Sequence, residues 1–161
     1  MPPTPGAERN DSPRMLARLA MASSVAGLTA VCVGLAVFLG GWIGHISFLR
    51  TILPGAQSMK ANTALGLVFL GAALCLNGRR DAGRNPPRLA LIFSGLATLI
   101  GALTTLEYAT RLNFHIDELL VRDYAWTVFS IAPGRMAVTT AISLALLGCA
   151  LLFPSNAAQR S

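Results

Sequence analysis

The sequence predicts an all-α membrane protein with four transmembrane helices, arranged as two tandem helical hairpins of the same orientation. Three observations lead there. Of the 161 residues, 53% are hydrophobic and only 12% charged, with a mean hydropathy of +0.58. The apolar residues fall in long runs that are apolar all round, which suits lipid rather than water. One stretch is written twice: Met59–Leu76 and Met136–Phe153 share Met, Thr, Ala, Leu, Leu, Gly, Ala and Leu at matching places, and Pro54-Gly55 and Pro133-Gly134 precede them.

The chain in order supports each element. Residues 1–14 are polar and Pro-rich at the start and read as a disordered cytoplasmic tail. Arg14 and Arg18 border a run without charge from Leu19 to Leu49. A signal peptide has an apolar region of only about 7–15 residues, so a first transmembrane helix at about 17–43 fits better, with Trp42 at the interface. The second helix, about 61–76, closes at Asn77-Gly78, a helix stop signal. A basic turn, Arg79–Arg88, leads to the third helix, about 89–108. The longest loop follows, carrying His115, Asp117, Glu118, Arg122, Asp123, Tyr124 and Trp126, with a short amphipathic helix expected near 116–121. The fourth helix, about 136–153, stops at Pro154, and 155–161 form a short cytoplasmic tail. The membrane domain therefore covers 15–154.

Span lengths agree with a bilayer. Ala61–Gly78 and Leu89–Leu106 each hold eighteen residues without charge, about 27 Å of helix against a hydrocarbon core of roughly 30 Å. Orientation follows from the basic residues. One side holds Arg9, Arg14, Arg18, Arg79, Arg80, Arg84, Arg88 and Arg160; the other holds Arg50, Lys60, Arg111, Arg122 and Arg135. The richer side faces the cytoplasm, which places both termini there in an inner membrane. Two spans per half make the duplication a parallel one about the membrane normal.

Helix association in lipid relies on close backbone approach at small residues. The first helix has Ala20, Gly27, Gly34 and Gly41 at seven-residue spacing, a seam for left-handed packing. The third offers Ser94, Gly95, Gly101 and Ala102; the fourth offers Ala137, Ala141, Ala145 and Cys149. The cysteines Cys32, Cys75 and Cys149 lie in apolar runs without metal spacing and read as small buried hydrophobes.

These residues resemble the N-terminal membrane region found ahead of PAS, histidine-kinase or GGDEF modules in bacterial sensor proteins. The shared features are paired segments that resemble "P-G-x-M-x-x-N-T-A-L", here Pro54-Gly55 with Met59 and Asn62-Thr63-Ala64-Leu65 and Pro133-Gly134-Arg135-Met136 with Thr139-Thr140-Ala141, together with Leu106-Glu107-Tyr108 at the end of the third helix and Ile116-Asp117-Glu118-Leu119-Leu120 in the loop. The resemblance covers roughly residues 15–154. It implies a sensory input or membrane-anchoring module. Such proteins continue into cytosolic signalling domains, whereas this sequence stops soon after Phe153. The expectation is that it works alone, binds a separate output protein, or is a fragment.

Few residues carry chemistry. Glu107 is the acid that adjoins a predicted span, and a pair with Arg135 or Lys60 at the outer mouth is the first site expectation, since ionisable groups facing a bundle interior are functional candidates. Asn62-Thr63 and Thr139-Thr140 begin the two repeated helices. N-capping is the simpler role; an anion site at the two helix N-termini beside Lys60 and Arg135 is the functional one. His45 and His115 both sit in His-Ile-x-x-Leu in equivalent outer loops, where they could sense pH or ligate a metal or haem; two ligands make a weak metal case, and interfacial histidines without a role are the simpler reading. Trp42, Tyr108, Tyr124 and Trp126 read as an aromatic belt.

No nucleophile elbow, zinc-protease motif, P-loop or dinucleotide fingerprint occurs, so no enzyme activity, cofactor or metal is expected. The net charge of +6 lies in tails and loops without a basic face interleaved with aromatics, which argues against nucleic acid. The expected partners are the lipid bilayer, a cytosolic signalling protein or further copies of the chain. The leading function is sensory input or membrane anchoring for signal transduction. A small transporter or channel component, or a structural membrane subunit, is the alternative; transport usually needs more polar groups within the spans.

Overall fold

The computed structural model describes residues 8–51, 58–78, 85–112 and 135–153, and every regular element among them is helical. Helix α1 spans Glu8–Leu35 and continues without a break as a π-helix over Ala36–Ile43. A single turn, α2 (Ser47–Arg50), follows, then α3 (Ala61–Gly78), α4 (Arg88–Thr110) and α5 (Val138–Leu152). The expected amphipathic helix at 116–121 lies outside the described residues.

Among the described residues, three helices are long and apolar enough to cross a membrane: Ala17–Ile43, Ala61–Gly78 and Arg88–Thr110. Val138–Leu152 is apolar but shorter, with 15 residues against the 136–153 read from sequence. Helix α1 begins at Glu8, so residues 8–14, expected in the tail, are helical.

The packing order is simple. Helix α1 lies chiefly on α3, and α5 chiefly on α4; α3 also touches α4 and α5 and is the central element. Phe69 of α3 stacks on Phe93 of α4 with ring centroids 5.9 Å apart. The interior is built of small residues (Ala64, Ala73, Ala90, Ser94, Ala97, Ala141), while Leu28, Leu35, Leu99 and Leu146 lie exposed on the outside. This inverts the soluble pattern of large apolar side chains inside and follows the small-residue rule for helix contacts in lipid.

Two glycine contacts show how close the backbones come. A Cβ at Gly34 would sit 2.6 Å from the Ala64 carbonyl oxygen and 3.1 Å from the Val68 nitrogen. A Cβ at Gly101 would sit 2.5 Å from the Ala141 oxygen and 2.6 Å from the Ala145 nitrogen. Ala141 and Ala145 align with Ala64 and Val68 in the repeated stretch. Gly71 and Gly148 also align, and they abut the Gly27 and Ser94 carbonyl oxygens.

The α1 seam read from sequence is the one used: Gly27, Gly34 and Gly41 are buried. The other stripes need correction. On α4 the buried line is Ala90, Ser94, Ala97, Gly101, Thr104 and Glu107, steps of three and four that keep one helix face. Gly95 and Ala102 lie one position further round; a Cβ at Gly95 would meet no other element within 4 Å, and Ala102 is exposed. On α5, Ala141, Leu144 and Gly148 are buried, whereas Ala137 and Cys149 are exposed. Cys32 is exposed as well, and Cys75 is half-buried with its thiol 3.5 Å from the Ser24 carbonyl oxygen. Two of the three cysteines thus sit on the outer surface rather than in the interior.

Candidate functional site: a buried charge cluster where α3 and α5 begin

An apolar bundle has little to offer a charge, so the places where charges are buried stand out. All lie at the end where α3 and α5 begin and α4 finishes. Glu107 has 0% exposure, Asn62 2%, Lys60 3% and Arg135 5%. Arg135 Nη2 stands 3.4 Å from Glu107 Oε2, with both side chains inside the fold. Of the partners expected from sequence, Arg135 is paired with Glu107, and Lys60 is buried at the same end. Removing both ions from water costs several kcal/mol per ion, and only close pairing offsets it.

The backbone brings the pair together. The carbonyl oxygen of Met136, next to Arg135, accepts a hydrogen bond of 2.9 Å from the Tyr108 hydroxyl, next to Glu107. Arg135 also lies over the Tyr108 ring, 5.4 Å from its centroid, where the ring quadrupole favours a cation. One helix turn before Glu107, Thr104 is fully buried and its hydroxyl has no hydrogen-bond partner among the described residues. Its neighbours on α4 differ: Ser94, Thr98, Thr105 and Thr110 each donate to the carbonyl four residues back.

The other hairpin carries a matching strut. Trp42 Nε1 donates to the Met59 carbonyl oxygen at 3.0 Å, and Met59 aligns with Met136. The Met59 N–H in turn donates to the Arg50 carbonyl oxygen at 2.8 Å, and Arg50 lies over the Trp42 ring at 5.0 Å. Trp42 and Tyr108 are thus internal fasteners, buried and half-buried, not members of a lipid-facing belt. An indole or phenol with one polar handle needs a partner when buried, and a loop carbonyl supplies it.

Thr139 and His45 are not gathered here, whereas Asn62 is. Thr139 is exposed in the first turn of α5, and the N-cap of that helix is Ala137 with no side-chain cap; capping by the Thr139-Thr140 pair is therefore not what starts α5. Asn62 lies inside the first turn of α3, where the Ala64 N–H donates to the Lys60 carbonyl oxygen. His45 is exposed, with φ 54°, directly after the π-helix. His115, Tyr124 and Trp126 lie outside the described residues. Among the described residues no three His, Cys, Asp or Glu side chains gather as metal ligands.

Sequence reasoning missed Arg50, Thr104 and the inward roles of Trp42 and Tyr108. A signal existed for the aromatics. Trp42 directly follows the seam residue Gly41, and Ala90, Ala97 and Thr104 mark a seven-residue seam on α4 that runs toward Glu107 and Tyr108. Searched against protein-family models, curated proteins and solved structures, the chain matches none of them, and the meaning of the cluster rests on its own geometry.

Proposed function

We propose that the chain is a membrane-embedded input or anchoring module for signal transduction, made of two duplicated hairpins that cross the bilayer four times with both termini in the cytoplasm. The observation that carries the reading is the Glu107–Arg135 pair, buried within a bundle of mostly apolar helices. A buried ion pair adds little net stability compared with apolar side chains of the same size, so stability alone does not account for it. Charges held inside a helix bundle are a default pointer to function. The pair joins the last turn of α4 to the entry of α5, where a change in its geometry moves one helix against the other. Lys60 and Asn62, buried at the start of α3, extend the polar cluster to the central helix. The matching contacts of Gly34 with Gly101 and of Met59 with Met136 support the duplication. The resemblance of the repeated segments to sensor membrane regions supports the signalling role.

The test is a distance measurement by electron paramagnetic resonance. Spin labels are placed at the far ends of α1 and α5, on a background without native cysteine, in the folded full chain in lipid. Glu107→Gln is expected to shift the distance distribution at that distant end. An unchanged distribution in a folded Glu107→Gln protein rejects the input reading and leaves anchoring alone.

A further inference from the structure

The two hairpins correspond along their seams, and the charged groups at one end break the correspondence. Gly27 matches Ser94, Gly34 matches Gly101 and Val37 matches Thr104, by the atoms they pack on or by their burial. Beyond Val37 the match slips by one residue. Gly41 then pairs with Glu107, Trp42 with Tyr108 and His45 with Arg111; the last two are the non-glycine residues with positive φ, at 54° and 58°. The π-helix at Ala36–Ile43 accounts for the slip, because its wider turns hold an extra residue in the same rise; the Gly44 N–H donates to the Leu39 carbonyl oxygen, five residues back.

Both hairpins therefore present an arginine over an aromatic ring that is itself tied to a methionine carbonyl oxygen. In the second, Arg135 meets the Glu107 carboxylate. In the first, the position of the carboxylate is Gly41, which carries no side chain. Arg50 has no acidic partner among the described residues, and its Nε is buried without a hydrogen-bond partner there. Its stem packs on Gly41, with Cγ 2.8 Å from where a Cβ would stand, and its guanidinium is held over the Trp42 ring. The buried Nε is closed to an external ligand, but Arg50 as a whole is only half-buried, and the paired N–H donors at the end of a guanidinium fit a two-oxygen anion.

We propose that Arg50 binds an external oxyanion, a carboxylate or phosphate group, which does for the first hairpin what the Glu107 side chain does for the second. Two sources offer that chemistry: the phosphate of a phospholipid headgroup and a free small carboxylate or phosphate. The proposal stands independently of the signalling role.

Trp42 emission is the readout, in the full chain carrying Trp126→Phe and held in a phosphate-free maltoside detergent. The solution is titrated in separate arms with acetate, inorganic phosphate and phosphatidylglycerol. A saturable change with acetate or phosphate identifies a free oxyanion; a change with phosphatidylglycerol alone identifies the lipid headgroup. In either case Arg50→Gln is expected to weaken the half-saturation point by about tenfold or more, the scale of a charge-assisted hydrogen bond. Arg50→Lys keeps the charge but loses the two-donor edge, should fall between, and serves if Arg50→Gln does not fold. No saturable change in any arm overturns the proposal, as do equal responses from wild type, Arg50→Gln and Arg50→Lys.

Discussion

The helix pair α1 with α3, the first of the two proposed hairpins, and the pair α4 with α5, the second, are held together by the same backbone contacts but differ in what they bury at the end where α3 and α5 begin. Gly34 and Gly101 press onto equivalent carbonyl oxygens, and Trp42 and Tyr108 fasten equivalent methionines. The second hairpin closes its polar end internally with Glu107 and Arg135. The first widens into a π-helix and leaves glycine where the acid would be. Packing at the seams is thus interchangeable between the hairpins, and electrostatics at one end is not. Stability should follow the shared part, and response to the surroundings the part that differs.

Breaking the shared part should give the largest effects. Gly34→Ile and Gly101→Ile each force a branched side chain against backbone within 3 Å. Losses of about 3 kcal/mol or more are expected at both sites, toward the upper limit of overpacking costs. Reversible unfolding in mixed detergent measures them. Equal losses support interchangeable seams; a large loss in one hairpin alone breaks the comparison.

Charge variants should separate the hairpins. Glu107→Gln or Arg135→Gln strands a buried ion and should cost about 3 kcal/mol. Arg50→Gln removes only a ring contact and should cost about 1 kcal/mol. The same unfolding assay compares them, and a similar cost for all three would erase the asymmetry.

The aromatic struts sharpen the comparison on a smaller scale. Tyr108→Phe removes one hydrogen bond to a methionine carbonyl oxygen, worth about 1 kcal/mol; Trp42→Phe removes the equivalent bond and also leaves a void where the larger buried indole stood, and should cost more. The smallest effect is expected at Gly95, which has open space around its Cβ position. There Gly95→Ala should raise stability by up to about 1 kcal/mol, through helix propensity alone.

Much of this was legible in the sequence where the physics is local. Length, the absence of charge and the Asn77-Gly78 stop placed α3 to within two residues. The seven-residue spacing of Gly27, Gly34 and Gly41 marked the α1 seam, because that period holds one face toward a neighbour. The Glu107–Arg135 pair was legible because an acid at a span end has few affordable partners. What depended on azimuth was not. Gly95 and Ala102 look like seam residues, yet they turn outward because α4 commits the adjacent line through Ser94 and Gly101 to α5. The inward turn of Trp42 requires the π-helix, and Ala36–Ile43 carries no sequence mark that separates it from ordinary apolar helix. The role of Arg50 depends on loop hydrogen bonds from Met59, far along the chain.

The most direct test of the central claim is a double-mutant cycle on Glu107 and Arg135, read by unfolding of the full chain in lipid-like detergent. If the two side chains form one buried pair, the Glu107→Gln/Arg135→Gln protein should lose much less than the sum of the single losses, with a coupling of about 2 kcal/mol. Strictly additive losses would mean that the two charges are stabilised separately, and the pair would no longer serve as the organising feature of the bundle.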